Sequence, residues 1–82
     1  MDDSALTIEH VHRAIRRFKK YTGNYPKEFR TTMDSFIFML NDAVERGKDD
    51  HIRLQADGSY TIYGVPVIFD ESLMPGVHSY ID

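Results

Sequence analysis

The stretch Ile52-Arg53-Leu54-Gln55-Ala56-Asp57-Gly58-Ser59-Tyr60-Thr61-Ile62-Tyr63-Gly64-Val65-Pro66-Val67-Ile68-Phe69 decides the fold class. Ile52 and Leu54 alternate with Arg53 and Gln55, and Tyr60 and Ile62 alternate with Ser59 and Thr61. A period of two puts the apolar side chains on one face of a strand. Asp57-Gly58 supplies a tight turn between the two runs, so the pattern predicts a β-hairpin. Val65 to Phe69 is almost continuously apolar and predicts a third strand. Gly64 is expected to break or bulge the second strand, and Pro66, which lacks an N–H, to demote the start of the third to an edge or a bulge. After a Met74-Pro75-Gly76 turn, Val77 to Ile81 predicts a short terminal strand.

Towards the amino terminus the period becomes helical. Ile8, Val11, Ile15 and Phe18 recur at spacings of three and four, with Ala14 and Tyr21 beside them, and predict an amphipathic helix over residues 8–21. Thr7 is its natural N-cap, Glu9 and Lys19-Lys20 complement its dipole, and Gly23 ends it. Asn24-Tyr25-Pro26 predicts a turn, because proline biases the residue before it towards an extended conformation. Phe29 to Met33 predicts a short strand, leading to Thr32 or Asp34 as a second cap. Phe36, Ile37, Leu40, Ala43 and Val44 then form a second helical stripe over residues 35–46, closed by Gly47. Phe38 and Met39 widen that stripe, so this helix is expected to lie against a sheet on one side and something else on the other. The expected fold is α+β: two helices packed on a small, mostly antiparallel sheet, one domain over residues 1–82.

The 82 residues carry 10 basic and 13 acidic side chains, and 41% are hydrophobic. That composition is globular and excludes a disordered segment or a coiled coil. A core of this size often supplies no more than about 3–5 kcal/mol, so partners or assembly are expected to supply part of the stability. There is no cysteine, which excludes disulfides, cysteine-ligated zinc and thiol catalysis. The opening MDDSALTIEH lacks the basic-then-apolar layout of a secretory signal, and no apolar run approaches the ~20 residues of a membrane helix. A cytoplasmic protein without membrane association is expected.

Chemistry-bearing clusters are sparse. His10 and His12, two apart on a helix, point about 200° apart and do not share an ion; both are expected to be solvated. His51 and His78 fall in strand-edge contexts with no acid at a recognisable spacing. Asp49-Asp50 and Asp70-Glu71 read as solvated turn carboxylates rather than acid–base pairs. No catalytic, metal or cofactor-binding residue is assigned, and no enzyme activity or cofactor is expected. Arg13, Arg16, Arg17 and Lys20 fall largely on one side of the first helix and are the candidate phosphate contacts. Glu9, four residues before Arg13, is expected to form an ordinary helical ion pair with it, which favours a solvated face over nucleic-acid binding. Tyr60, Tyr63 and Phe69 are expected to serve ordinary cross-strand packing.

The order of these elements resembles the axial domain of tailed-phage major capsid proteins and their encapsulin relatives. The resemblance is carried by Thr7–Pro26 as a helix and glycine-containing turn, Phe29–Asp34 as a short strand, and Phe36–Arg46 as a helix. The passage Asp57 to Asp70 with Met74-Pro75-Gly76 looks like the family's hairpin, Gly-x-Pro-Val strand and Met-Pro sequence. The amino-terminal arm, extended loop and peripheral domain of a capsid subunit have no counterpart in these 82 residues. The similarity implies a phage or prophage origin and a non-enzymatic structural or interaction protein, in the host cytoplasm or the virion. Its partner would be a virion or host protein or a second copy of itself. By the same resemblance the contact candidates are the Asp57-Gly58 turn, the Ser72–Gly76 loop with Ser72, Leu73 and Met74, and an edge strand near Phe69. The alternative function is a small phage regulator that inhibits a host defence protein by surface mimicry.

Overall fold

The computed structural model describes residues 7–74 and 77–81. In chain order it contains helix α1 (Ile8–Thr22), strand β1 (Glu28–Thr31), helix α2 (Met33–Glu45), a 3-10 turn (Asp49–His51), and strands β2 (Ile52–Leu54), β3 (Tyr60–Ile62), β4 (Val65–Phe69) and β5 (Ser79–Ile81). The strands form one sheet in the order β2-β3-β4-β1-β5. β1 runs parallel to β4, and the other neighbouring pairs are antiparallel. The chain is therefore the expected α+β fold. Pro75 and Gly76 of the predicted turn lie outside the described residues.

Local signals set the helix ends. The Thr7 hydroxyl accepts from the His10 N–H at 3.2 Å and Gly23, at φ 80°, donates to the Lys19 carbonyl at 2.9 Å. Of the two candidate caps for α2, Thr32 is the one used: its hydroxyl accepts from the Ser35 N–H at 3.2 Å. The helix therefore starts at Met33, two residues earlier than the apolar stripe suggests. It ends with Gly47 at φ 69°. Lys48 N–H donates to Ala43 O at 2.8 Å and Gly47 N–H to Val44 O at 3.1 Å. These two bonds are the paired pattern in which a left-handed residue satisfies the last carbonyls.

Both helices lie on one face of the sheet. Ile8, Val11 and Ile15 of α1 and Phe36, Met39 and Ala43 of α2 are buried with Phe29, Ile62, Val65 and Val67 of the strands. Phe36 is the hub between layers, with its ring centroid 4.9 Å from that of Tyr60 and 5.3 Å, edge-on, from that of Phe69. The strands alternate as a one-sided sheet requires: Val65 and Val67 are buried while Pro66 and Ile68 are exposed.

Three strand expectations are corrected. Gly64 does not bulge a strand. Tyr63 and Gly64, at φ 50° and 83°, are the two central residues of a tight turn, and Ile62 pairs with Val65 across it. Two consecutive positive φ values match the right-handed twist of the flanking strands. Pro66 does not mark an edge either, since β4 lies between β3 and β1. Its tolerance has a geometric cause. The β1 ladder on β4 begins at Phe29↔Val67, one residue past Pro66. The residue after a closing turn pair directs its nitrogen away from the hairpin partner, so the missing N–H falls just ahead of the β1 ladder. The same order corrects the edge expected near Phe69. Phe69 is half-buried in an interior strand, and the edges are β2 and β5.

Two outcomes follow from this packing. Phe36→Ala should cost about 3–5 kcal/mol by urea denaturation, enough to leave a domain of this size largely unfolded. The Tyr80 hydroxyl is buried without a hydrogen-bond partner among the described residues. Tyr80→Phe should therefore leave stability unchanged or raise it by about 1 kcal/mol in the same assay.

Candidate functional site

Two of the three predicted contact segments come together at one end of the sheet. Tyr60 pairs with Val67, so the loop before β3, with Asp57 and Gly58 at its tip, lies at the same end as the carboxyl end of β4. Asp57 Oδ1 accepts from the Ser59 N–H at 3.0 Å and from its hydroxyl at 2.6 Å, and Gly58 takes φ 89°. Those bonds hold the Asp57 carboxyl below its usual range, the side-chain bond first. The Ser72–Met74 loop repeats the device. Asp70 Oδ1 accepts from the N–H and hydroxyl of Ser72, which lowers the Asp70 carboxyl in the same way.

The amino end of α2 joins them because β1 is parallel to β4. Asp70 N–H donates to the Thr31 carbonyl at 3.0 Å, and Glu71 Oε2 accepts from the Met33 N–H at 2.9 Å. A carboxylate there satisfies an orphan donor and complements the helix dipole. This end of the molecule exposes Leu54 at 65%, Met33 at 43% and Met74 at 72%. Leu73 is half-buried. Phe69 points inward to Phe36 and is not available as a contact. Along α2, whose wide stripe is expected to meet something beyond the sheet, Ile37, Phe38 and Val44 are also exposed.

The basic residues lie elsewhere, beside the Tyr63-Gly64 turn that closes the other end of the β3–β4 hairpin. Arg13, Arg16, Arg17 and Lys20 line an open trough of about 630 Å³ together with Glu9, His12, Tyr21 and Lys48. The expected Glu9–Arg13 pair does not form. Glu9 turns to the carboxyl end of α2 instead, with Oε1 3.3 Å from Arg46 and 3.7 Å from Lys48. Asp42 reinforces that junction by accepting from the Ile8 N–H at 3.2 Å and from Arg46 at 3.0 Å. Tyr21, placed beside the buried stripe by its spacing, is 78% exposed.

His12, one of the residues lining the trough, belongs to an aromatic stack. Tyr63 lies flat between two imidazoles, 4.1 Å from His12 and 4.5 Å from His51 between ring centroids. His12 is thus half-buried rather than solvated, and Tyr63 serves the turn and this stack rather than cross-strand packing. Burial pushes the His12 imidazole below its ordinary value, helped by the charges of Arg16, His51 and Lys48. The stack joins residues from a helix, a 3-10 turn and a hairpin turn, and no local pattern announces it. Tyr21 was more legible, since it follows Arg13 and Arg17 at steps of four. Lys48 reaches the trough only through the packing of α2 on α1. His78 lies instead against Phe29 and Tyr80.

Among the described residues no group of three or more His, Asp or Glu side chains converges to hold a metal ion, and no helix is long and apolar enough to cross a membrane. No known protein family, curated protein or solved structure matches this chain.

The lowered His12 value sets a pH dependence. The unfolded chain takes up a proton near pH 6.5, while the folded chain resists it to lower pH. The unfolded state then binds more protons, so stability falls as pH drops through that window and levels off below the folded value. The urea midpoint should therefore decline between pH ~7.5 and ~5.5. His12→Phe, which keeps the ring on Tyr63, should flatten that decline.

Proposed function

We propose that this chain is a non-enzymatic interaction domain of phage or prophage origin, built like a free-standing capsid axial domain and working through protein–protein contacts. One observation carries the reading. The Asp57-Gly58 tip, the Ser72–Met74 loop and the amino end of α2 share one end of the sheet and expose Leu54, Met33 and Met74 there. Exposed large apolar side chains scattered singly need no partner, but a group flanked by polar turns marks a contact surface. The loops are also tied down by hydrogen bonds. Each is tied by an aspartate to a serine two residues on, and Glu71 clamps the second loop to α2. A loop fixed before binding loses less entropy on docking. The sequence resemblance supplies the kind of partner: a capsid protein or another copy of the chain.

Size-exclusion chromatography with light scattering, together with a pull-down from phage-infected cells, tests this reading. The expected result is a defined oligomer or recovery of a virion protein, lost in the double variant Met33→Glu/Met74→Glu while the circular dichroism spectrum stays unchanged. A strict monomer that recovers no virion protein would overturn it. Specific recovery of a host protein by the same surface would replace it with the inhibitor reading.

A further inference from the structure

We propose that the α1 trough is a binding site for the phosphodiester backbone of a single-stranded nucleic acid, a function separate from the contacts at the other end of the sheet. Charge is the first ground. The chain as a whole is acidic, with a net charge of −3, yet α1 carries five basic residues and one acid. That acid, Glu9, is engaged by Arg46 and Lys48. Arg13, Arg16, Arg17 and Lys20 form no ion pair among the described residues, although acids outnumber bases in the chain. Four like charges within two turns of a helix repel one another, and helix propensity does not require them. An anionic occupant removes that repulsion.

Spacing is the second ground. Arg13, Arg16 or Arg17, and Lys20 follow one another at single helical turns of about 5.4 Å, so they present a row of cations rather than one focus. A row fits a chain of phosphates better than a single small anion. Three of the four are arginines, whose planar fork matches phosphate oxygens in pairs.

The aromatic rim decides between polyanions. Tyr21 stands in the trough wall beside Lys20 and is 78% exposed. A phenol left in water at the edge of a cationic groove offers its face to a base, and a basic groove joined to a stacking ring is how unpaired strands are held without sequence preference. An acidic peptide would use the arginines but not this ring. A duplex has its bases stacked inside and would leave the ring without a partner.

Fluorescence anisotropy with a labelled oligo(dT) and the full chain tests the proposal. Four phosphate contacts predict a logarithmic salt slope of about −2.8, which is an affinity loss of about 50-fold between 50 and 200 mM salt. Arg13→Gln/Arg16→Gln should halve that slope. Tyr21→Ser should weaken binding about fivefold or more while leaving the slope unchanged. All three side chains are exposed, so none of these variants should melt at a lower temperature than the parent, and Arg13→Gln/Arg16→Gln, which relieves like-charge repulsion, should melt at the same temperature or slightly higher. The Met33→Glu/Met74→Glu variant should bind oligo(dT) as the parent does, which separates this site from the protein contact surface. Absence of binding at low salt would overturn the proposal. So would equal binding of poly-glutamate, tighter binding of a duplex of the same length, or indifference to Tyr21→Ser.

Discussion

The parallel pairing of β1 on β4 is the constraint on which the rest of this molecule depends. Phe29 sits opposite Val67, so two segments far apart in the chain share the middle of the sheet. A parallel pair needs a long crossover, and here α2, the 3-10 turn and the β2–β3 hairpin supply it. Because β1 leads directly into α2, the pairing delivers the amino end of that helix to the carboxyl end of β4. Without it, Glu71 would not reach Met33 and the exposed apolar group would not assemble. The aromatic contacts of Phe36 with Tyr60 and Phe69 then lock helix and sheet in that arrangement.

The two ends of the sheet are chemically different. One carries neutral apolar side chains framed by aspartate-tied turns. The other carries the α1 cations beside a stack of three rings. Glu9 binds the carboxyl end of α2 through Arg46 and Lys48 rather than its own helix neighbour Arg13. That choice fastens α1 to α2 and at the same time leaves the remaining bases of α1 without an acid. One acid thereby links a packing contact to a surface charge pattern. A surface ion pair of this kind contributes little stability by itself, so its larger consequence is the field it leaves uncovered.

The His12–Tyr63–His51 stack belongs to the same junction. Tyr63 adopts φ 50°, a conformation that L residues seldom hold and that costs about 1–2 kcal/mol in a chain free to avoid it. Ring faces on both sides and the tight β3–β4 connection hold it there. Glycine at that position would relax the backbone but remove the ring, so tyrosine marks a site where tertiary packing outweighs local preference.

Helix ends to within two residues, the β2–β3 hairpin and the two-layer α+β class were legible in the residues alone. Caps, turn glycines and hydrophobic period act within a few positions, where one side chain decides whether a nearby N–H or carbonyl is satisfied. Thr7, Gly23 and Gly47 are such cases, whereas the choice between Thr32 and Asp34 as the second cap fell to the structure. Strand order, the interior place of Pro66, the turn at Tyr63-Gly64, the partner of Glu9 and the trough completed by Lys48 were settled only when distant segments met. In each of those the deciding partner lies on another element. Sequence spacing records which face a side chain takes but not what the rest of the chain brings to that face.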